Sequence, residues 1–252
     1  MNKFMGSLLA SALFILPISS GSEHTVSAAS NTVDASVYYS PPTAHKEDTT
    51  NAIVWKEGAV TVTASKHKLE GPITSSISAI KVKVGNQSFA VEPQEASHAD
   101  PKNIQSISLS PTKKYLAIQL EYSNGYNLMV LDLHTGKYKI LNDIVKSVTY
   151  VESTPVYSWS PDGKKLAFAY GDPSISRIAV YNLSYDTFTY VPRVTSTIST
   201  AIILWDKTGK YLDYASEYPS DQYVLYRYSF DTKKVKAITK MNRQQLTNLT
   251  KR

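Results

Sequence analysis

Apolar and polar positions along this chain fall into short β-type runs separated by turn residues, and the runs recur with one plan. From Ala52 onward the pattern predicts strands in groups of four. The first group is Ala52 to Trp55, Val60 to Ala64, Ala79 to Val84 and Phe89 to Val91, with turns at Gly58 and Gly85-Asn86. The second is Ile104 to Leu109, Tyr115 to Leu120, Leu128 to Leu133 and Tyr138 to Leu141. The third is Val156 to Trp159, Leu166 to Tyr170, Ile178 to Leu183 and Phe188 to Val191; the fourth is Ile202 to Trp205, Tyr211 to Ala215, Val224 to Phe230 and Val235 to Ile238.

The register of these groups is shared. Trp159 is followed seven residues later by Leu166 and nine later by Phe168; Leu109 stands in that relation to Leu116 and Ile118, and Trp205 to Leu212 and Tyr214. Trp55 opens the first, weaker copy, so all 3 tryptophans hold one position of the repeat and Leu109 fills the fourth. A four-strand unit with a period of 46 to 50 residues from the second copy to the fourth is a propeller blade. Runs such as Ile178 to Leu183 are apolar on both alternating faces, as expected of a blade sandwiched between two others. The tryptophans are expected to pack between blades. The expected fold is all-β, a β-propeller of about four four-stranded antiparallel blades, at 51–93, 104–141, 155–191 and 200–239.

The turn after the first strand of each group has its own chemistry. In Ser160-Pro161-Asp162-Gly163 proline presets the second position, aspartate accepts from nearby amides and glycine takes the left-handed conformation. Asp206-Lys207-Thr208-Gly209 does this without proline. Ser110-Pro111-Thr112-Lys113 lacks the glycine and should turn less ideally.

The stretches SPDGKKLAFAY with IAVYNL, and LSPTKKYLAIQL with MVLDLHTGKYKIL, resemble the PD40 or WD40-like repeats of TolB-type β-propellers. The resemblance covers roughly residues 51 to 240 and implies a blade rather than an activity. TolB itself carries an α/β domain before a propeller of about six blades, whereas four blades are read here. Four blades imply a small closed ring, a ring completed by a second copy, or an open fan whose edges need covering. The apolar patch Val37, Tyr38 and Tyr39 is a candidate cap for one such edge.

Outside the repeats, residues 1–29 read as a signal peptide: Lys3, an apolar run from Met5 to Ile18, and Val26-Ser27-Ala28 as cleavage site. Residues 30–50 read as a polar linker with one strand at most, and residues 241–252 as a basic tail, frayed or briefly helical. The chain is thus expected to be secreted, extracellular or cell-wall associated, with no integral membrane segment after cleavage. Cys 0 among 252 residues excludes disulfides, thiolate metal sites and a cysteine nucleophile. A net charge of +6 suits anionic surfaces but is not the dense basic stripe of a nucleic-acid binder, so no nucleic-acid partner is expected.

In a four-strand meander, turns after strands one and three lie on one side, and connections after strands two and four on the other. The latter are expected to be long and to carry recognition. The candidate binding residues there are Glu121, Tyr122, Tyr126, Asp172, Glu217, Tyr218 and Asp221, because aromatic groups beside carboxylates suit a polar partner. The expected function is a secreted non-catalytic module for a protein or envelope polymer. The alternative is a glycan-active hydrolase using carboxylates of neighbouring blades, for instance Asp172 with Glu217. A third reading rests lysines of the short-turn side, Lys164 and Lys165 among them, on wall polyanions. No catalytic motif, cofactor or metal site is expected from the dispersed histidines, and a dimer is one possible assembly.

Overall fold

Four antiparallel sheets follow one another along the chain, each a meander in which neighbouring strands are neighbours in sequence. The computed structural model describes residues 33–42, 44–68, 75–92, 100–147, 151, 153–172, 175–194, 199–218 and 222–250. The expected signal peptide lies outside them. Blade 1 contains β1 (His45–Asp48), β2 (Ala52–Glu57), β3 (Val60–Lys68), β4 (Ser75–Val84) and β5 (Gln87–Val91). Blade 2 contains β6 (Asn103–Leu109), β7 (Tyr115–Glu121), β8 (Tyr126–Asp132) and β9 (Tyr138–Ile140), followed by the short helix α1 (Leu141–Ile144). Blade 3 contains β10 (Tyr157–Trp159), β11 (Lys165–Gly171), β12 (Ser176–Asn182) and β13 (Thr187–Tyr190). Blade 4 contains β14 (Thr200–Trp205), β15 (Tyr211–Tyr218), β16 (Gln222–Ser229) and β17 (Val235–Asn242), and helix α2 (Arg243–Thr250) ends the described chain.

The apolar clusters give the order of packing. One joins blades 1 and 2, one blades 2 and 3, and one blades 3 and 4. β7, β8 and β11 are therefore buried on both faces, the reason for their continuous apolar runs. Tryptophan packs at these seams and also ties them. Trp159 Nε1 donates to Ser108 Oγ of blade 2 at 2.9 Å, and Trp205 Nε1 donates to the Ser158 carbonyl of blade 3 at 3.0 Å. Each indole thus fills the seam and satisfies its only polar atom across it.

No cluster among the described residues joins blade 4 back to blade 1. The far face of blade 4 is covered instead by the chain termini: Val33, Ala35 and Tyr38 on one side, Leu246 and Leu249 of α2 on the other. α2 opens with a reciprocal cap, Asn242 Oδ1 accepting from the Gln245 amide and Gln245 Oε1 from the Asn242 amide, both at 2.9 Å. Residues Tyr38 to Asp48 then connect the last blade to the first. The Tyr39 amide donates to the Trp205 carbonyl at 2.9 Å, and β1 pairs with β2 as a fifth strand of blade 1. Of the 37–39 patch, Tyr38 does the covering, while Val37 is exposed and Tyr39 packs against the cluster of blades 3 and 4. β1, HKED, is exposed throughout, and only its backbone pairing makes it a strand.

A buried polar knot holds this strap. Asp213 is 0% exposed; its carboxylate takes Arg227 Nε and Nη2, both at 2.8 Å, and the Tyr38 hydroxyl at 2.7 Å. Burial, then the neighbouring Asp213 charge, pushes the Tyr38 hydroxyl well above its ordinary pKa. The outward face of blade 1 is hydrophilic instead. Lys56, Thr61, Lys83 and Ser88 form one cross-strand row on it, while Ile53, Trp55, Val62 and Val82 face the core.

Turn chemistry follows the sequence with one substitution. Gly163 and Gly209 sit at φ 63 and 70, and Lys113 takes the same place at φ 56. Its amide still closes the turn onto the Ser110 carbonyl at 2.8 Å, as Gly163 does onto Ser160. A side chain in this left-handed region costs about 1 kcal/mol. At Gly163 an added Cβ would lie 2.8 Å from the Thr112 amide, because successive first turns abut.

Candidate functional site

The connections after second strands differ from expectation. β7 runs to Glu121 and β8 starts at Tyr126, β11 runs to Gly171 and β12 starts at Ser176, and β15 runs to Tyr218 with β16 from Gln222. What were read as long loops are in large part prolonged ladders, since backbone pairing continues through polar residues as readily as through apolar ones.

Between these hairpins and the inter-blade connections lies a cleft of about 280 Å³. Blade 2 supplies Asn124, Gly125 and Tyr126; blade 3 supplies Tyr170, Gly171, Asp172 and Ser176; Thr200 opens blade 4, and Ser153, Pro155 and Ser199 come from the crossings between blades. The walls are tied together closely. Tyr126 donates its amide to Ser153 Oγ at 3.1 Å and accepts on its carbonyl from Thr154 Oγ1, at 2.9 Å, and Asn142 Nδ2, at 3.1 Å. Ser153 and Gly171 exchange amide and carbonyl at 3.0 and 3.1 Å. Ser176 Oγ donates to Thr200 Oγ1 at 2.8 Å, joining blade 3 to blade 4.

Gly171 has a structural requirement: at φ 128 an added Cβ would stand 2.3 Å from the Ile175 carbonyl oxygen. Asp172 Oδ1 accepts from the Ile175 amide at 2.7 Å and so fixes the hairpin tip. Its charge also acts on Arg193, whose pKa is lowered by burial and by the neighbouring Arg177 and raised in part by Asp172. Burial raises the Tyr170 hydroxyl, with Tyr190 adding to it.

Of the seven candidate residues, the fold brings Tyr126 and Asp172 into the cleft. Glu217 stands at its rim, exposed, taking Ser199 Oγ on Oε2 at 3.5 Å and donating its amide to the Ser199 carbonyl at 3.0 Å. Glu121 closes β7 and accepts the Lys102 amide on its carbonyl at 2.7 Å. Tyr122 is 5% exposed and packs in the cluster between blades 1 and 2, so its ring belongs to the core. Tyr218 ends β15 paired with Gln222, and Asp221 lies outside the described residues. Sequence reasoning did not single out the hydroxyls of Ser153, Ser176, Ser199 and Thr200, which carry no motif and meet only through the crossings. Among the described residues no group of three or more histidine, aspartate or glutamate side chains is arranged to hold a metal ion, and no helix is long and apolar enough to cross a membrane.

No family model matches the chain, and no curated protein matches it in sequence. Solved structures are similar in fold. Dipeptidyl peptidase 4 from Porphyromonas gingivalis aligns with a TM-score of 0.50 at 12% identity, over 84% of this chain and 41% of its own. TolB from Acinetobacter baumannii aligns with a TM-score of 0.41 at 14% identity, over 76% of this chain and 50% of its own. A protein from Agrobacterium tumefaciens assigned as TolB aligns with a TM-score of 0.41 at 10% identity, over 76% of this chain and 78% of its own. The chain thus spans half or less of the first two proteins. With four antiparallel four-strand repeats, the likeness shows an all-β chain of β-propeller type. At 12% identity it carries no activity across, because a fold of this kind hosts unrelated functions.

Proposed function

We propose that this chain is an exported, non-catalytic binding module of TolB-like β-propeller type that engages a protein or envelope polymer through the face bearing the second-strand hairpins. The observation that carries this reading is the cleft that collects Tyr126 and Asp172 from two blades, with Glu217 at its rim. Hydroxyls, two tyrosines and carboxylates on a cross-tied frame suit recognition of a polar partner with little ordering cost on binding. Asp172 is a positioning group as well as a contact, because it caps the hairpin beside the cleft.

The test is retention of the mature protein on an isolated bacterial envelope fraction. Tyr126→Ala combined with Asp172→Asn should lower retention about tenfold, the loss of one good contact. Neutralising Lys164 and Lys165 should leave it unchanged. Equal retention of the cleft variant, or loss confined to the lysine variant, refutes the proposal.

A further inference from the structure

A larger groove lies on the opposite side. It opens between blades 2 and 3 where the turns after third strands emerge, and has a volume of about 600 Å³. Tyr115, Val130 and Tyr138 line it from blade 2, Tyr181 and Leu183 from blade 3. Charged groups stand among these apolar walls in balance, with Asp132 and Asp186 against Lys137 and Lys139.

Its polar groups are organised rather than scattered. Asp186 lies in the left-handed region at φ 54, and its carboxylate accepts from the Tyr181 hydroxyl at 2.7 Å and from Lys139 Nζ of the other blade at 2.5 Å. Lys139 Nζ also lies 5.9 Å from the centre of the Tyr181 ring. The Lys139 and Tyr181 hydrogen bonds hold the Asp186 carboxyl below its usual range, while burial, followed by the bond to Asp186, raises the Tyr181 hydroxyl. Asp132 Oδ1 fixes the facing turn by accepting the His134 and Thr135 amides at 2.8 and 3.0 Å. Tyr115 supplies the blade 2 ring, on the face it shares with Ala117 and Val130, whereas Tyr138 borders the groove from the other face, its hydroxyl donating to the Glu92 carbonyl at 3.1 Å.

We propose that this groove is a second binding site, for a neutral saccharide of about disaccharide size. The class follows from the lining. Tyrosine rings on both walls match the C–H faces of a pyranose, and paired carboxylates and ammonium groups offer acceptors and donors to its hydroxyls. Equal numbers of the two charges give no net attraction for a polyanion, which separates this site from a basic docking surface. The volume lies within the roughly 300–1,000 Å³ typical of small-ligand sites. The site is independent of the hairpin-face cleft, which shares none of its lining residues.

The probes are N,N′-diacetylchitobiose, cellobiose and maltose, titrated calorimetrically into the full chain. At least one should bind saturably, with a Kd below about 1 mM. Tyr115→Ala and Asp186→Asn should each weaken it about tenfold, the worth of one stacking or charge-assisted contact. Asparagine tolerates the left-handed backbone at 186, so that variant keeps the turn. Tyr185→Ala, a change at a side chain 77% exposed outside the groove, should leave affinity unaltered. Absence of saturable binding by all the probes up to about 10 mM overturns the proposal. So does binding that survives both groove variants, or that is lost in Asp172→Asn while the groove variants retain it.

Discussion

The strap that covers blade 4 depends on a single buried carboxylate, and its removal has a calculable cost. Asp213 is fully buried and holds two partners, the Arg227 guanidinium in a two-pronged contact and the Tyr38 hydroxyl. Asp213→Asn takes away the charge while leaving the guanidinium in place. Breaking a buried pair in this way costs about 3–5 kcal/mol, and the lower end applies because the Arg227 side chain keeps 27% exposure to water. Tyr38→Phe removes one hydrogen bond to a charged acceptor, about 1.5–2 kcal/mol. Because the hydroxyl–carboxylate bond is lost only once, the double variant should cost about 1 kcal/mol less than the sum of the two. Equilibrium urea unfolding of the wild type, both single variants and the double variant measures all of these quantities. A cost for Asp213→Asn no larger than for Tyr38→Phe, or strictly additive costs, would refute the knot as the strap's anchor. A cost that disappears in about 1 M salt would place the pair at the surface and refute it equally.

Lys113→Gly should stabilise the fold by about 0.5–1 kcal/mol, raising the urea midpoint, because the residue already sits at φ 56; a loss of stability would show that its side chain contributes more than its backbone costs. Gly171→Ala should cost about 1–3 kcal/mol and speed hydrogen exchange of the amides around the cleft, as its Cβ meets the Ile175 carbonyl; unchanged exchange would contradict the close approach. Stability should fall as pH rises above about 10: Tyr38, Tyr181 and Tyr214 keep their protons in the fold through burial, the unfolded chain releases them near the ordinary value of 10.0, and the unfolded state then holds fewer protons. Tyr38→Phe should flatten that fall in a urea series between pH 9 and 11, and an identical slope would remove Tyr38 from the linkage. Trp159→Phe should cost about 1–3 kcal/mol in thermal or urea unfolding through lost volume and the lost bond to Ser108, whereas a neutral effect would make the seam tolerant of repacking.

The four-blade plan was legible in the sequence because each blade is local. Strands two to six residues apart pair with their neighbours, and the turns that set their register are encoded at Gly58, Gly85, Gly163 and Gly209. The alternation of Val60, Val62 and Ala64 with Thr61, Thr63 and Ser65 even marks blade 1 as a sheet with one wet face, unlike the doubly apolar strands of blades 2 and 3. Strand ends were underestimated, since Glu121, Gly171 and Tyr218 remain in ladders that backbone hydrogen bonds continue without apolar side chains.

The sequence alone therefore determined the strand order, the turns and the seam position of the tryptophans, all properties of neighbouring residues. Only the tertiary structure decided how the array ends: β1 has no apolar residue to announce it, and Tyr38 meets Asp213 across 175 positions of chain. The same holds for both candidate sites. Ser153, Gly171 and Thr200, like Lys139 and Asp186, become neighbours only when blades stack, and no local pattern selects residues whose shared role depends on that stacking.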